Sequence, residues 1–344
     1  MSRQLLSGHK VEQASEEEVK KMEIVPFVRG MVRILPEGWL YPWSATIFLD
    51  KIYNMKFRRD DVIVMTFPKC GTTWMQEIVW TMLHNPNLDN PEANESIWSR
   101  SHDISLDMLM DIELLKGKLF SPIMQNFEKM CPGGRVQEGV CLQILEASAG
   151  PRVIKCHYPF PLLPPGLLQS AKVVYVARNP KDVMVSFYWY WKDISIFQYR
   201  GDFESCVRQL MNESTLYSPY WPHVKEAWQK RHHSNVHFVF YEDLKSDTML
   251  ELKKLNDFLG TRLSEEKLEA VAQHTSFSSM RHAGDIQMND FYEKTKSNKT
   301  TFFRKGTTGD WKNHFSSELQ EEVDRWIEKN VAGTDISLRW ALGQ

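Results

Sequence analysis

The sequence predicts an α/β fold, a single domain with a central and mostly parallel sheet flanked by helices. Four short apolar runs, each followed by turn residues, predict the strands: 61–67, 152–155, 172–177 and 236–241. Helical patterns come after three of these runs, at residues 72–83, at about 182–190 and between about 242 and 260. Strands that alternate with helices favour a parallel sheet with helices packed on it. No internal repeat or low-complexity linker divides the 344 residues, which favours one domain.

Three further stretches complete this outline. Residues 1–22 contain no apolar core of signal-peptide length and predict a solvated, flexible and partly helical tail. Residues 84–150 are interrupted by four prolines and by a Gly-Gly pair, so we predict a long insertion that forms a lid or a wall of the substrate site. Near the end, Ser317 and Gln320 predict a capping-box start for a helix. Its apolar stripe is Leu319, Val323, Trp326 and Ile327.

Composition and charge limit the classes of function. Apolar residues make up 42% and charged residues 25% of the chain, as in ordinary globular proteins. The net charge of −2 creates no global field for nucleic acid, so we expect no nucleic-acid partner and an anion site built locally. Five cysteines without a close-spaced pair favour reduced thiols and a cytoplasmic location. No apolar run reaches 18 residues, which predicts no membrane span, and no cluster has the spacing of metal ligands.

The turn after the first predicted strand has the features of an anion site. Residues 67–74 read FPKCGTTW, in which a tight Gly turn and two threonines precede a helix. Backbone amides, the positive end of the helix dipole and Lys69 can together bind a phosphate. The nucleotide-triphosphatase string GxxxxGK[ST] does not occur in the chain. The structural alternative is a plain strand-to-helix turn with a Thr N-cap.

Three strings, in order along the chain, resemble the signatures of the cytosolic sulfotransferases. Residues 67–74 resemble the phosphosulfate-binding loop of that family. The string YVARNPKDVMVS at 175–186 resembles the second signature, and RKGTTGDWKN at 304–313 resembles the third. The resemblance covers residues 61–313 and is specific, because three independent motifs agree. Within that family, the chain resembles an insect-type member related to retinol dehydratase.

The resemblance implies a site for 3′-phosphoadenosine 5′-phosphosulfate (PAPS), with no metal. The phosphosulfate loop would use Lys69, Cys70, Gly71, Thr72, Thr73 and Trp74, and Cys70 stands where a Ser is common. The 3′-phosphate would be held by Arg178, Ser186, Arg304, Lys305 and Gly306, with Phe303 beside them. The adenine would lie near Trp74, Tyr241, Thr275, Phe277 and Met280. Residue chemistry agrees, because Arg178 can offer a planar fork to phosphate and Trp74 can stack on a purine. The alternatives are a surface pair of Arg178 with Asp182 and core packing of the aromatic residues.

Catalysis is assigned to His157, Lys69, Lys155 and Ser186. His157 follows Lys155 at the end of a predicted strand and resembles the histidine of the family's Lys-x-His element. A neutral imidazole can take the proton of an acceptor hydroxyl as its oxygen bonds to sulfur. Lys69 would neutralise charge on the leaving oxygen, and Lys155 would contact the transferring group.

The acceptor is expected to be a small hydrophobic molecule with a hydroxyl, such as a phenol, a sterol or another alcohol. Candidate lining residues are Trp98, Met108, Met110, Phe120, Met124, Phe127 and Phe160, although such a set is also typical of a core. Three alternatives stay open: dehydration of an isoprenoid alcohol as in retinol dehydratase, a kinase, and a PAPS- or PAP-binding relative without catalysis. The family's dimer motif keeps Lys312 and Glu321 but has Ser316-Ser317 in place of Thr-Val, which argues against a homodimer formed by that route.

Overall fold

The computed structural model describes residues 3–24, 27, 29–111, 121–194, 197–287 and 303–344. Its strands are β1 Arg3–Gln4, β2 Lys10–Gln13, β3 Met31–Leu35, β4 Trp39–Pro42, β5 Val62–Met65, β6 His102–Asp103, β7 Val153–Cys156, β8 Lys172–Ala177 and β9 Val236–Phe240. The α-helices are α1 Glu16–Lys21, α2 Ala45–Tyr53, α3 Thr72–His84, α4 Ile97–Arg100, α5 Ser121–Met130, α6 Val140–Ala147, α7 Leu167–Ser170, α8 Pro180–Asp193, α9 Phe203–Met211, α10 Tyr220–Gln229, α11 Tyr241–Ser246, α12 Thr248–Leu259, α13 Glu265–His274, α14 Phe277–Gln287, α15 Ser317–Val331 and α16 Leu338–Leu342. Short 3₁₀ turns lie at Pro91–Asn94, Asp107–Asp111, Val136–Glu138, Phe160–Leu162 and Asp310–Asn313.

A five-stranded parallel sheet in the order β6-β7-β5-β8-β9 forms the centre of the fold. The four predicted strands are β5, β7, β8 and β9, and the α/β fold class is confirmed. Every residue of β5 is buried, because helices cover both faces of the sheet, and its sequence therefore shows no alternation. The parallel strands all end at one edge of the sheet, so the turns that follow β5, β7 and β8 lie close together.

The prediction of a flexible tail for residues 1–22 differs from the structure. Strands β1 to β4 form a four-stranded antiparallel sheet, in which Val11 of β2 pairs with Ile34 of β3. Leu5, Val11 and Met22 are buried in the main core. Apolar residues are sparse in this stretch, and they become structural because the partner strand and the core beneath it cover them. Sequence pattern alone could not indicate that partner.

The segment 84–150 contributes to the sheet as well as to its surroundings. It contains β6, which pairs in parallel with β7 at the sheet edge, besides helices α4, α5 and α6. The prediction of an insertion between the first two strands therefore missed an edge strand of only two residues. A strand this short leaves no readable apolar pattern.

Details of two predicted helices also differ. The C-terminal helix α15 has Ser316 as its N-cap, whose Oγ accepts from the amide of Leu319, so the cap lies one residue before the predicted Ser317. The single helix expected between 242 and 260 is split into α11 and α12, because the Asp247 side chain caps a new helix start. Gly260 ends α12 in the left-handed conformation, as its residue type favours.

A buried ion pair holds the starts of β5 and β7 together. Arg152 donates from Nε and Nη2 to the two carboxylate oxygens of Asp61 at 2.7 and 2.5 Å. The Asp61 carboxylate also accepts from the amide of Arg58 at 2.6 Å, and its side chain is fully buried. This end of the sheet is structural, and it lies opposite the strand ends that carry the predicted site. None of the described helices is long and apolar enough to cross a membrane.

Candidate active site

The loop after β5 is shaped to accept an anion. Gly71, the N-cap of α3, has a φ of 98°, and a Cβ at this position would lie 2.6 Å from Cδ2 of Tyr241. Only glycine therefore permits this close approach. Within the described part of the chain no carbonyl or side chain accepts from the N–H groups of residues 70–73. These amides at the positive end of α3 stay available for an anionic ligand.

Arg178, at the end of β8, crosses over to this loop. Its Nη1 donates to the Lys69 carbonyl at 3.1 Å and its Nη2 to the Thr307 carbonyl at 3.2 Å. Its guanidinium carbon lies 4.4 Å from the ring centroid of Tyr241. The Nε atom is buried and has no hydrogen-bond partner among the described residues. An unpaired buried N–H of a cation is costly, and an anion in the cavity would satisfy it.

The surface pair of Arg178 with Asp182 is not formed. Asp182 is buried, and its carboxylate accepts from the amides of Gly309 at 2.7 Å and Trp311 at 3.1 Å. These bonds attach the segment after residue 303 to the start of α8. The second and third sequence signatures are thereby brought side by side.

Arg304 and Lys305 form a cationic cluster on that segment. They contact the two oxygens of Asp310 at 2.5 and 2.7 Å. Burial alone would raise the pKa of Asp310, but the hydrogen bonds from Lys305 and Arg304 hold it well below its usual range. Gly306 has a φ of 64°, and a Cβ there would lie only 2.1 Å from the Phe277 ring. Glycine is required for this contact.

Lys69 carries an unusually labile charge. Burial lowers its pKa to about 7, and the positive charges of Lys155, Arg178 and Arg304 act in the same direction. Its Nζ lies 4.2 Å from the ring centroid of Tyr190. Charge repulsion within such a cluster is relieved by a bound anion, which makes the cluster a phosphate-binding candidate.

Aromatic side chains form the wall next to the loop. Trp74 and Tyr241 meet edge to face with ring centroids 5.6 Å apart, and the ammonium of Lys245 lies 5.4 Å from the Trp74 centroid. Phe277, Met280 and Phe303 line the same cavity. Thr275 does not line it, because its hydroxyl is fully buried and donates to the Val271 carbonyl within α13.

His157 lies where the anion loop meets the rest of the cavity. Its Nδ1 is 2.9 Å from the Thr66 carbonyl oxygen, which can only accept, so Nδ1 carries the proton and Nε2 has the lone pair. The Thr66 hydroxyl lies 3.3 Å from the same Nδ1 and 2.7 Å from the hydroxyl of Thr72. Burial lowers the pKa of His157 to about 3, helped by the charge of Lys155. The ring is therefore neutral at physiological pH.

The anion loop, Arg178, the cationic pair of Arg304 and Lys305, the aromatic wall and His157 all line one cavity of about 230 Å³. Sixteen of the predicted site residues line this cavity. Besides Lys69 and His157, they are Gly71, Thr72, Thr73, Trp74, Lys155, Arg178, Ser186, Tyr241, Phe277, Met280, Phe303, Arg304, Lys305 and Gly306. Two predicted site residues, Thr275 and Cys70, do not line the cavity. Cys70 is buried behind the loop, where burial raises the pKa of its thiol, so at most its backbone amide can contact a ligand.

The apolar half of the cavity differs from its prediction. Trp98 lines it, whereas Met108, Phe127 and Phe160 are buried in the core and Met124 packs against it. Phe120 and the side chain of Met110 lie outside the described residues. The cavity wall instead uses other apolar residues: Leu106, Leu109, Ile123, Phe187, Trp189, Tyr190, Trp191, Ile194, Phe197, Leu216 and Tyr217. The run FYWYW at 187–191 was the missed signal, because five consecutive aromatic residues in a helix cannot all face the core.

Comparisons with known proteins establish the family. The sulfotransferase domain model matches residues 59–335. Sulfotransferase 1A1 of Rattus norvegicus is 35% identical over 288 residues, covering 82% of this chain and 88% of the rat protein. Luciferin sulfotransferase of Photinus pyralis is 30% identical over 337 residues, covering 95% of this chain and 87% of that protein. A crystal structure of retinol dehydratase with androsterone and the inactive cofactor PAP matches with a TM-score of 0.83 and 29% identity, covering 96% of this chain and 98% of that one. The chain belongs to the cytosolic sulfotransferase family of PAPS-dependent enzymes.

Proposed function

We propose that this sulfotransferase moves a sulfonate group from PAPS to the hydroxyl of a small hydrophobic acceptor, with His157 as the general base. One observation carries the proposal: a neutral histidine, whose Nδ1–H is held by the Thr66 carbonyl, lines the cavity between the anion loop and an apolar wall. An acceptor hydroxyl is a weak nucleophile at neutral pH. A lone pair on Nε2 at this junction can take its proton.

The residues of the cationic half fit a ligand with two phosphate groups. The free amides of residues 70–73 and Lys69 suit the phosphosulfate end, while Arg178, Ser186, Arg304 and Lys305 suit a second phosphate on the far side. The unpaired Nε of Arg178 supports this fit, because a phosphate oxygen would supply the acceptor it lacks. The purine would lie between Trp74 and Phe277, which face the same space.

Catalysis then rests on three side chains with separate tasks. His157 accepts the acceptor's proton while the acceptor oxygen bonds to sulfur and the bond between sulfur and the bridging phosphate oxygen breaks. Lys69, in its protonated form, offsets the negative charge that develops on that leaving oxygen. Lys155 lies close enough to His157 to lower its pKa, and it is available to contact the transferring sulfonate.

The acceptor follows from the other half of the cavity. Its wall of Trp, Tyr, Phe, Leu and Ile side chains suits a molecule that is apolar apart from its reacting hydroxyl, and the volume suits a compact one. The five cysteines are all free thiols, which agrees with the proposed cytoplasmic location.

Replacement of His157 tests the proposal. We expect His157→Ala to lower kcat roughly 10²- to 10⁴-fold, the usual contribution of a general base, with the affinity for PAP unchanged by calorimetry. His232→Ala, which removes an exposed histidine, is the matched control and should behave as the wild type. Normal sulfonation by His157→Ala with intact PAP binding would refute the assignment. Loss of PAP binding in His157→Ala, with His232→Ala unaffected, would indicate a folding defect instead.

Dehydration of an alcohol through a sulfated intermediate is the second candidate. The extended likeness to retinol dehydratase, at 29% identity over almost the whole of both chains, favours it. In that case the C–O bond of the sulfate ester would break, its electron pair would leave with the sulfate, and a neighbouring carbon would lose a proton to a base, which forms an alkene. Mass spectrometry of products from an allylic alcohol distinguishes the two reactions: a stable sulfate ester excludes dehydration for that acceptor, and loss of water without ester supports it.

A further inference from the structure

A carboxylate from the segment 84–150 lies against the catalytic strand end. Asp103 of β6 is the register partner of Lys155 on β7, and its Oδ2 lies 3.0 Å from the Lys155 ammonium. The side chains are only 14% and 15% exposed, and both line the cavity. This is an ion pair inside the active site, in a place that none of the three sequence signatures covers.

The same short segment also contacts the backbone of His157. Oδ1 of Asp103 accepts from the amide of Ser105 at 2.8 Å, and the buried hydroxyl of Ser105 accepts from the amide of His157 at 2.7 Å. The amide of Ile104 donates to the Lys155 carbonyl at 3.0 Å. Residues 103–105 therefore hold both Lys155 and His157 through separate hydrogen bonds.

We propose that Asp103 is a positioning residue for sulfonate transfer: its carboxylate, paired with Lys155, offsets the positive charge of the ammonium at the His157 ring and so keeps that ring an effective base. The proposal rests on the function proposed above. Without this carboxylate, a lysine charge would remain in a poorly solvated cavity next to the imidazole that must accept a proton. The carboxylate limits the cost of placing that cation beside a base.

The electrostatics of the pair agree with this geometry. Burial alone would raise the pKa of Asp103, but the charge of Lys155 and its hydrogen bond outweigh burial and hold the pKa below its usual range. At His157, burial and then Lys155 lower the pKa, while Asp103 acts in the opposite direction. His223, which lies behind the His157 carbonyl, adds a smaller lowering effect. Removal of the Asp103 charge therefore weakens the base.

A pair of acceptors distinguishes this role from a merely structural one. A phenol acidic enough to be ionised at the assay pH needs no general base, whereas an aliphatic alcohol does. We expect Asp103→Asn to lower kcat for the aliphatic alcohol roughly tenfold to a hundredfold and for the ionised phenol by less than about threefold, because only the first reaction depends on the basicity of His157. PAP affinity should stay as in the wild type, and Asp103→Glu should restore most of the lost rate.

Two controls keep the outcome interpretable. Asp257→Asn changes an exposed carboxylate outside the cavity and should leave both reactions unchanged. The double variant Lys155→Gln/Asp103→Asn leaves no unpaired buried charge, so it can be measured even if Asp103→Asn alone does not fold. Relative to Lys155→Gln, this second change should again cost more with the aliphatic alcohol than with the ionised phenol, because the Asp103 charge also acts directly on the His157 ring.

Equal losses with both acceptors, in Asp103→Asn or in the double variant relative to Lys155→Gln, would overturn the proposal and leave Asp103 as a structural residue. No loss at all in Asp103→Asn would overturn it as well. Failure of the underlying function has a different signature, since it appears as unchanged sulfonation by His157→Ala. The two hypotheses can therefore fail separately.

Discussion

The lowered pKa of Lys69 makes binding of the donor product PAP depend on pH in a defined way. In the free protein, burial and three neighbouring cations lower the pKa of Lys69 to about 7. A bound phosphate would favour the protonated form and return the pKa towards its ordinary value. Binding near neutral pH is therefore accompanied by proton uptake, and affinity falls as the pH rises above 7.

The size of the effect follows from the fraction of charged lysine. With a pKa of about 7, about half of the Lys69 side chains are charged at pH 7 and about one in a hundred at pH 9. If PAP requires the charged form, its Kd should rise about fiftyfold between these two values. The second ionisation of a phosphate lies near pH 6, so the charge of PAP itself hardly changes in this range.

Isothermal titration calorimetry measures both consequences. Kd for PAP is determined at half-unit steps from pH 7 to pH 9, and proton uptake at pH 8 is obtained from buffers with different ionisation enthalpies. Lys69→Arg keeps its charge throughout, so its Kd should change by less than about threefold over the same range. Lys69→Met should bind weakly and without pH dependence. A wild-type profile as flat as that of Lys69→Arg, or no proton uptake, would refute the reasoning.

Two further predictions concern the scaffold of the site and can be checked by urea denaturation. Gly71→Ala places a Cβ 2.6 Å from the Tyr241 ring at a φ of 98°. We expect the free energy of unfolding to fall by at least about 1–2 kcal/mol, the cost of this backbone conformation alone, and PAP binding to weaken. Wild-type stability and affinity would show that the loop adjusts freely. Arg152→Met leaves the fully buried Asp61 without its ion-pair partner, and we expect a loss of about 3–5 kcal/mol. Arg208→Met, in an exposed pair, should cost less than about 1 kcal/mol, and equal costs for the two arginines would contradict the assigned role of burial.

The parallel sheet could be predicted because its strands are short, wholly apolar and separated by helical patterns. Strand β8 has the predicted bounds, and β5 and β9 differ from their predictions by one or two residues at an end. The four-stranded antiparallel sheet was missed, since strands such as β2 expose three of their four residues. Its stability comes from pairing with β3 and from the core below, and neither contact leaves a local pattern.

The cationic half of the site was accessible to sequence reasoning because its residues sit in contiguous motifs. A glycine with positive φ, a lysine next to it and an arginine at a strand end keep their neighbours whatever the rest of the fold does. The apolar half was predicted poorly, since among its candidates that the structure describes only Trp98 lines the cavity. Which face of an aromatic helix turns towards a cavity depends on how that helix packs, and a sequence of apolar residues is compatible with either face.

The sequence by itself determined the fold class and the family, because each depends on residue types at short spacing. Only the tertiary structure decided how these parts combine. It brought Arg304 and Lys305 to Arg178 through Asp182, fixed the tautomer of His157 by a carbonyl 91 residues away in sequence, and placed Asp103 beside Lys155. Such contacts join residues that are distant in the chain, and their geometry is set by packing of the whole domain.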